Sequence, residues 1–182
     1  MRWRIALPAL IVAFILVDDA ILRMRPWPVV VQGLFDEPAH AATALLVLLA
    51  VPLASRRLLP VTLAASVLVD LDHLLIYSGI GTFGAHGRPP GHTLVMIAAL
   101  SLAAAVLAKK PRYGYAVAVG ISLHLLRDAF TGPGVPILWP FDHTAYLGPY
   151  RAYVTLLVVT AAVATTVRTA TARSSAPRAR GG

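Results

Sequence analysis

Apolar and polar stretches alternate along the chain in a pattern that predicts six membrane-spanning helices. Several apolar runs reach 16–20 residues, about the length that a helix needs to cross the hydrocarbon core of a bilayer. The predicted spans cover residues 5–17, 38–54, 59–77, 92–108, 113–130 and 150–167. Glycine, proline and basic residues mark the segments between them. The predicted fold class is therefore all-α, a polytopic membrane helix bundle of about six transmembrane helices.

One domain and a tail are expected. Residues 1–167 are predicted to form a single transmembrane helical domain. Residues 168–182 are rich in serine, alanine and arginine, which predicts a disordered, basic cytoplasmic tail. The first span follows a short basic start, as the core of a signal peptide would, but no small-x-small cleavage site comes after it. We therefore expect the first span to remain uncleaved.

Composition supports the membrane class and excludes others. Hydrophobic residues make up 58% of the chain and charged residues 13%, which is far from the balance of a soluble domain. The chain has no cysteine, so disulfides and thiolate metal sites are excluded. The net charge of +8 comes from basic residues that flank the predicted spans. This placement favours a role in membrane topology, and we expect no nucleic-acid partner.

Charged residues sort to opposite sides of the predicted bundle. Eleven of the sixteen basic residues fall at the N-terminus, in the 55–58 and 109–112 turns and in the tail, whereas four fall in the opposite loops. The positive-inside rule then places both termini in the cytoplasm. All eight acids and all six histidines lie near the outer ends of spans or in outer loops. They predict a polar pocket within the outer leaflet that opens to the extracytoplasmic side.

The polar residues in the predicted spans have the spacing of metal ligands. Three carboxylate–histidine pairs have helical spacing and one more histidine begins the fourth span: Glu37 with His40, Asp70 with His73, His124 with Asp128, and His92. A charged residue at the centre of a span is unfavourable by roughly 2.5–3.5 kcal/mol, so such residues usually mark a site. Carboxylate-x-x-His pairs on facing helices hold metals in di-iron bundles. The pattern therefore predicts a metal-binding pocket.

Each of these pieces also has a plainer interpretation. A lone histidine in a span is often only a packing residue, and Asp128 taken alone could form a buried ion pair with Arg127 or Arg151. The neighbouring Asp36 and Glu37 could be interfacial only. The remaining histidines could be solvated loop residues: His86 and His143. Their joint occurrence on one side of the membrane is what favours a metal site.

The chain resembles the membrane-bound metal-dependent hydrolases, the YdjM-like bacterial inner-membrane family, over about residues 37–141. The similar segments are DLDH at 70–73, HGRPPGHT at 86–93 and HLLRDAFTGPGVPILWPF at 124–141. The last matches the family pattern H-x-x-x-D-x-x-T-x-x-G-x-x-x-x-W-P at His124, Asp128, Thr131, Gly134, Trp139 and Pro140. The chain departs from the family at two places. Val69 replaces a proline, and the loop histidines are six residues apart instead of five, with Gly91 before the second.

The resemblance implies a metal-dependent hydrolase with one or two divalent ions, zinc first and manganese or iron as alternatives. The expected ligands are His40, Asp70, His73, His92, His124 and Asp128. A metal lowers the pKa of bound water, and a spare carboxylate, Asp72 or Glu37, could act as general base. On a regular helix Asp72 would face away from Asp70 and His73, so we expect it behind the ligands or where the helix loosens.

Three outer-side cations suggest a phosphate-bearing substrate. Arg88, Arg127 and Arg151 are suited to bidentate contact with a phosphate group. A pocket in the outer leaflet would meet lipid head groups, so we expect a phospholipid or a lipid-linked phosphoester as substrate and membrane lipids as partners. The loop after the fifth span is expected to form a lid or a plain interfacial loop, shaped by Thr131, Gly134, Pro136 and Trp139.

Other functions remain open from the sequence. A metal-binding transport or sensing protein is the main alternative, although the inner halves of the spans carry no acid or histidine for a conducting path. A structural membrane protein could use the polar cluster only for packing. A metal-free intramembrane aspartyl protease could use Asp70 and Asp128, but the histidines would then have no role.

Overall fold

The computed structural model describes residues 2–51, 55–74 and 88–174. The helices are α1 (Arg2–Arg23), α2 (Val29–Ala50), α3 (Leu59–Leu68), α4 (Leu94–Leu107), α5 (Pro111–Thr131) and α6 (Tyr150–Ser174). Short 3₁₀ turns cover Arg56–Leu58, Val69–Asp72 and Pro90–His92. An isolated β-bridge pairs Val135 with Tyr146. The predicted all-α class is confirmed.

The second helix begins earlier than predicted. α2 starts at Val29, so the segment 29–37, expected as a loop, is helical, and Pro38 lies inside the helix. A membrane helix can continue through a proline when neighbouring groups satisfy the freed backbone carbonyl. As a result Asp36, Glu37 and His40 share one rigid helix, with Asp36 one turn before His40.

The third helix loosens where the polar residues begin. Its regular part ends at Leu68, and the 3₁₀ turn Val69–Asp72 follows. Three residues per turn place residues i and i+3 above each other, so Asp70 and His73 point the same way. The expected loosening of the helix at Asp72 is confirmed, while the last predicted residues of this span, 75–77, fall outside the described ranges.

The fourth helix is shorter than predicted, and His92 precedes it. Thr93 caps α4, because its Oγ1 accepts a hydrogen bond from the Met96 N–H at 3.2 Å. His92 therefore lies in the Pro90–His92 turn and not at the helix start, which corrects the sequence prediction. The turn leaves the imidazole free to point into the bundle instead of following the helix surface.

In the part of the chain that the structure describes, two helices are long and apolar enough to cross a membrane: Val30–Ala50 within α2 and Tyr150–Ala172 within α6. A shorter apolar helix covers Leu94–Leu107. The six-span topology therefore stays a prediction. α6 continues to Ser174, past the predicted start of the tail at 168, and the residues after it lie outside the described ranges.

The helices pack in two groups that share α5. Helices α1, α2 and α6 surround one apolar cluster, which contains Ile11, Val12, Ile15, Leu46, Tyr153 and Leu157. A second cluster joins the end of α3 to α5 and the following loop through Val69, Ile121, Leu125 and Val135. A third connects α2 to α5 through Ala44, Leu48 and Leu123. α5 is thus held on several sides, which fixes the direction of its polar residues.

A glycine lets α5 approach α3 at backbone distance. A Cβ atom at Gly120 would overlap the carbonyl oxygen of Thr62 and crowd the side chain of Ala65. One turn further along α5, His124 Nδ1 lies 2.9 Å from the Ser66 carbonyl oxygen. The close approach of the two backbones therefore places this histidine against α3.

Gly120→Ala should destabilise the protein by about 1–3 kcal/mol, because the added methyl group must push α3 and α5 apart. Gly33→Ala is the matched control, since nothing lies within 4 Å of a Cβ at Gly33 in α2. That substitution should be neutral, or stabilising by up to about 1 kcal/mol from helix propensity. Thermal unfolding in detergent measures both, and equal midpoints would contradict the close packing at Gly120.

Candidate metal centre

Two histidines and two aspartates meet in the interior of the bundle. α5 supplies His124 and Asp128, the 3₁₀ turn after α3 supplies Asp70, and the turn before α4 supplies His92. His92, His124 and Asp128 are buried, and the side chain of Asp70 is 17% exposed. The sequence pattern predicted this convergence, and the structure brings all four residues together.

Each aspartate faces the same two imidazole nitrogens at nearly equal distances. Asp70 Oδ1 is 3.0 Å from His92 Nε2 and 3.2 Å from His124 Nε2. Asp128 Oδ2 is 3.2 Å from each of the same two nitrogens, which are 3.3 Å apart. Neighbouring ligands about 2.0–2.1 Å from a tetrahedral zinc ion lie about 3.3–3.4 Å from one another. These separations therefore suit donor atoms that bind one divalent ion.

Hydrogen bonding at the rim of the cluster supports this fit. His124 Nδ1 faces the Ser66 carbonyl, so this nitrogen carries a proton, and in the neutral imidazole Nε2 is left with a lone pair. That lone pair faces Asp70 Oδ1, a buried oxygen that makes no well-formed hydrogen bond among the described residues. A lone pair and carboxylate oxygens in contact repel each other unless a cation or a proton lies between them.

Asp72 and His73 extend the cluster toward the surface. His73 Nδ1 lies 3.3 Å from Asp70 Oδ1 and 3.3 Å from Asp72 Oδ1. Asp72 Oδ2 accepts a hydrogen bond from the Gly91 N–H at 2.8 Å, and a Cβ at Gly91 would overlap that oxygen. The glycine by which this chain departs from the family pattern thus allows Asp72 to hold the turn that carries His92.

His40 lies against His124, and one donor atom of each lies within 4.8 Å of one oxygen of Asp70. The two rings stack with centroids 3.7 Å apart and an interplanar angle of 11°. Because the rings lie in nearly parallel planes, an ion bound to both would lie outside the plane of at least one. His40 Nε2 is also 3.5 Å from Asp128 Oδ1 and 3.7 Å from Asp36 Oδ2. Its role as a metal ligand stays a prediction.

The carboxylate nearest to His40 is that of Asp36. The expected pair was Glu37 with His40, but α2 is helical from Val29 onward, and the i, i+4 residue Asp36 faces the imidazole. Glu37 turns toward Asp70 instead. Its buried Oε2 has no hydrogen-bond partner in the described part of the chain, which leaves the carboxyl group available at the edge of the cluster.

Arg88 is the cation that contacts the cluster. It is buried, its Nη1 lies 2.8 Å from Asp128 Oδ2, and its Nε donates a hydrogen bond to the Gly134 carbonyl at 3.3 Å. The ion pair of Asp128 is therefore made with Arg88 and not with Arg127 or Arg151. Arg88 also connects the centre to the loop after α5, whose role as a lid stays a prediction.

Arg127 is engaged elsewhere. Its guanidinium donates hydrogen bonds to Asp19 at 2.7 Å and to Asp36 at 2.8 Å, and it lies 3.8 Å from Asp18. Arg151 is exposed in the first turn of α6. His143 is exposed in the loop, and His86 falls outside the described ranges. No role was predicted for Asp18 and Asp19, although a buried arginine in a span indicates that acidic partners must exist.

A cavity of about 650 Å³ leads to this cluster. Its polar lining includes Glu37, Asp70, His73 and Arg88. Its apolar lining includes Val30, Leu68, Leu71 and Leu74, each of which is more than half exposed on the outer surface. The cavity thus has a charged floor and an apolar rim.

Comparison with known proteins gives one match. The sequence profile described as YdjM inner membrane protein matches residues 36–180, which is most of the chain and includes every residue of the cluster. Neither a curated protein nor a solved structure is significantly similar to the chain. The match confirms the membrane family that the motifs resemble. The family description names no reaction, so a reaction must be argued from the chemistry of the site.

Proposed function

This chain belongs to the YdjM family of inner membrane proteins, and on that premise we propose that it is a membrane-embedded, metal-dependent hydrolase. The observation that carries the proposal is the set of facing carboxylate oxygens and imidazole nitrogens formed by Asp70, His92, His124 and Asp128. The proposed substrate is a phospholipid or a lipid-linked phosphoester at the outer leaflet. The proposed cofactor is a divalent ion, with zinc favoured by the mixed nitrogen and oxygen donors.

Each residue near the centre has a proposed task. Asp70, His92, His124 and Asp128 would hold the ion, which would act as a Lewis acid and make water easier to deprotonate. Glu37 lies in the cavity beside Asp70, where it can accept a proton from water and later return it to the leaving oxygen. Asp72 is held by the Gly91 N–H, which suits a residue that orients the ligands.

Arg88 is the best-placed contact for a phosphate group. It lines the cavity and lies beside the proposed metal ligand Asp128, so an oxygen that reaches the centre would also reach its guanidinium. Arg127 lines the same cavity, but its charge is already offset by Asp19 and Asp36. We therefore assign the phosphate contact to Arg88 first.

The shape of the cavity supports an amphipathic substrate. Its floor carries charged side chains, and its rim carries apolar side chains that are exposed on the surface. A lipid could place its head group on the floor while its acyl chains stay beside the rim. The segregation of every acid and histidine toward one side of the predicted spans supports a multi-pass topology with the site facing the extracytoplasmic side.

A hydrolysis assay tests the proposal. Detergent-purified protein is loaded with Zn²⁺ or Mn²⁺ and mixed with phospholipid micelles or a soluble phosphomonoester. We expect release of a phosphate-containing product from the lipid, loss of that release with a chelator, and recovery when metal is restored. Arg88→Ala should lower kcat/KM at least about tenfold, since a hydrogen bond to a charged group is worth about 1.5–3 kcal/mol.

Arg57→Ala is the matched control, because Arg57 is exposed in the turn before α3, away from the centre. Its kcat/KM should equal that of the wild type. Fully metal-loaded protein that hydrolyses none of these esters would favour the metal-binding transport or sensing alternative. Protein that binds no metal at all would favour the structural one.

A further inference from the structure

We propose that the protein holds a second divalent cation beside the first, in a site formed by Asp70, Asp72 and His73 with His92 at its inner edge. The inference rests on the proposed function, because the two sites would share Asp70. The inference specifies how many ions the protein binds and which of the two ions a substrate in the cavity would contact first.

The ligand atoms of this second group are already close together. His73 Nδ1 is 3.3 Å from one oxygen of Asp70 and 3.3 Å from one oxygen of Asp72. One donor atom from each of Asp70, Asp72, His73 and His92 lies within 4.8 Å of all the others. Separations near 3.3 Å suit ligands about 2.0–2.1 Å from one ion.

Two buried atoms point to a ligand at this position. Asp70 Oδ1 and Asp72 Oδ1 are both shielded from solvent and make no well-formed hydrogen bond with other described residues. His92 is completely buried, while Asp72 uses its other oxygen to hold the Gly91 N–H. A second cation would satisfy the free oxygen of Asp72 without breaking the bond that positions the turn.

Asp70 has the position of a bridging carboxylate. Its Oδ1 lies 3.0–3.3 Å from nitrogens of His73, His92 and His124. His124 belongs to the first site, His73 to the second, and His92 lies between them. In hydrolases with two metals the ions lie about 3.5–4 Å apart, a separation that one carboxylate can bridge.

The local charge leaves room for a second cation. Four carboxylates surround the centre, those of Glu37, Asp70, Asp72 and Asp128, and Arg88 contacts the last of them. With all four ionised, Arg88 and one divalent ion would leave one excess negative charge, and a second ion would leave one excess positive charge that a bound hydroxide or phosphate oxygen would offset. Protonated imidazoles would be the alternative source of positive charge, and metal analysis separates the two.

The two sites differ in access. Asp70 and His73 line the cavity, whereas His124 and Asp128 lie behind them. The second site would therefore keep a coordination position open to the cavity, as catalytic metal sites do. A phosphoester oxygen in the cavity would meet this site first.

Counting the bound ions tests the inference. Full-length protein in detergent is dialysed against Zn²⁺ and its zinc is measured by elemental analysis. We expect two ions per chain in the wild type and one in Asp72→Asn and in His73→Ala. Asparagine keeps an oxygen for the Gly91 N–H, so Asp72→Asn should remain folded. The matched controls Asp142→Asn and His143→Ala, both in the exposed loop, should keep two ions.

A spectroscopic readout tests the same point without activity. Mn²⁺-loaded wild type should give an electron paramagnetic resonance spectrum of two coupled ions, and His73→Ala the spectrum of an isolated ion. One ion in the wild type that survives Asp72→Asn and His73→Ala but is lost in His124→Ala would overturn the second site and leave the proposed function intact. Loss of all metal in folded His73→Ala would also overturn it, and a wild type without metal would overturn both.

Discussion

Replacing His124 and Asp128 together is expected to remove the metal from the protein. Both residues contribute an atom to the set of facing ligand atoms, and both are buried. Even residues that only orient a metal ligand change metal affinity by about 10–100-fold, so loss of two ligands should weaken binding by more than about 100-fold. Detergent-purified His124→Ala, Asp128→Ala protein should therefore contain no stoichiometric zinc, manganese or iron, and should hydrolyse no phosphoester.

The controls separate loss of the site from loss of the fold. Asp142→Asn with His143→Ala removes the same two residue types from an exposed loop and should leave the metal content unchanged. Asp128→Ala also leaves Arg88 without its ion-pair partner, so Asp128→Asn with His124→Ala should be tested beside it. Asparagine can still accept a hydrogen bond from Arg88. Equal, substoichiometric metal in wild type and variant would contradict both the metal centre and the hydrolase proposal.

Helical spacing was enough to predict which residues share a helix face, because residues one turn apart have few possible arrangements. His124 and Asp128 are one turn apart in α5, so a correct helix prediction suffices to place them on one face. Asp70 and His73 keep their spacing whether the helix is regular or 3₁₀, so the loosening after Leu68 did not disturb that pair.

Contacts that depend on helix ends or on loops could not be predicted in this way. The sequence pattern predicted that α2 begins at Pro38 and paired Glu37 with His40. The helix in fact begins at Val29, and Asp36, one turn before His40, is the residue in contact with it. The ion pair between Arg88 and Asp128 joins a loop to a helix 40 positions away, and no periodic pattern connects them. The stacking of His40 on His124 depends on how α2 and α5 cross, which side-chain spacing within one helix does not determine.

Arg127 shows how a residue type can suggest one role and its surroundings another. The sequence offered Arg127 as a phosphate contact, and this role stays a prediction. Its described contacts connect four helices instead: Asp19 lies on α1, Asp36 on α2 and Tyr153 on α6. Tyr150 also donates a hydrogen bond to Asp19 at 2.7 Å. The network holds α2 in the position from which Glu37 and His40 reach the centre.

Arg127→Met is therefore expected to destabilise the protein by about 3–5 kcal/mol, because it leaves the carboxylates of Asp18 and Asp19 buried without a cation. For a chain of this size the midpoint of thermal unfolding in detergent should fall by roughly 10 °C. Arg151→Met is the matched control and should stay within about 0.5 kcal/mol of the wild type, since Arg151 is exposed. The stability of Arg127→Lys should lie between those of Arg127→Met and Arg151→Met. Lysine keeps the positive charge, but its ammonium group lacks the planar set of donors with which arginine binds Asp19 and Asp36 together. If Arg127→Met instead unfolds at the wild-type temperature and only raises KM for a lipid phosphoester, the network is not what holds the helices together, and Arg127 is a phosphate-binding residue.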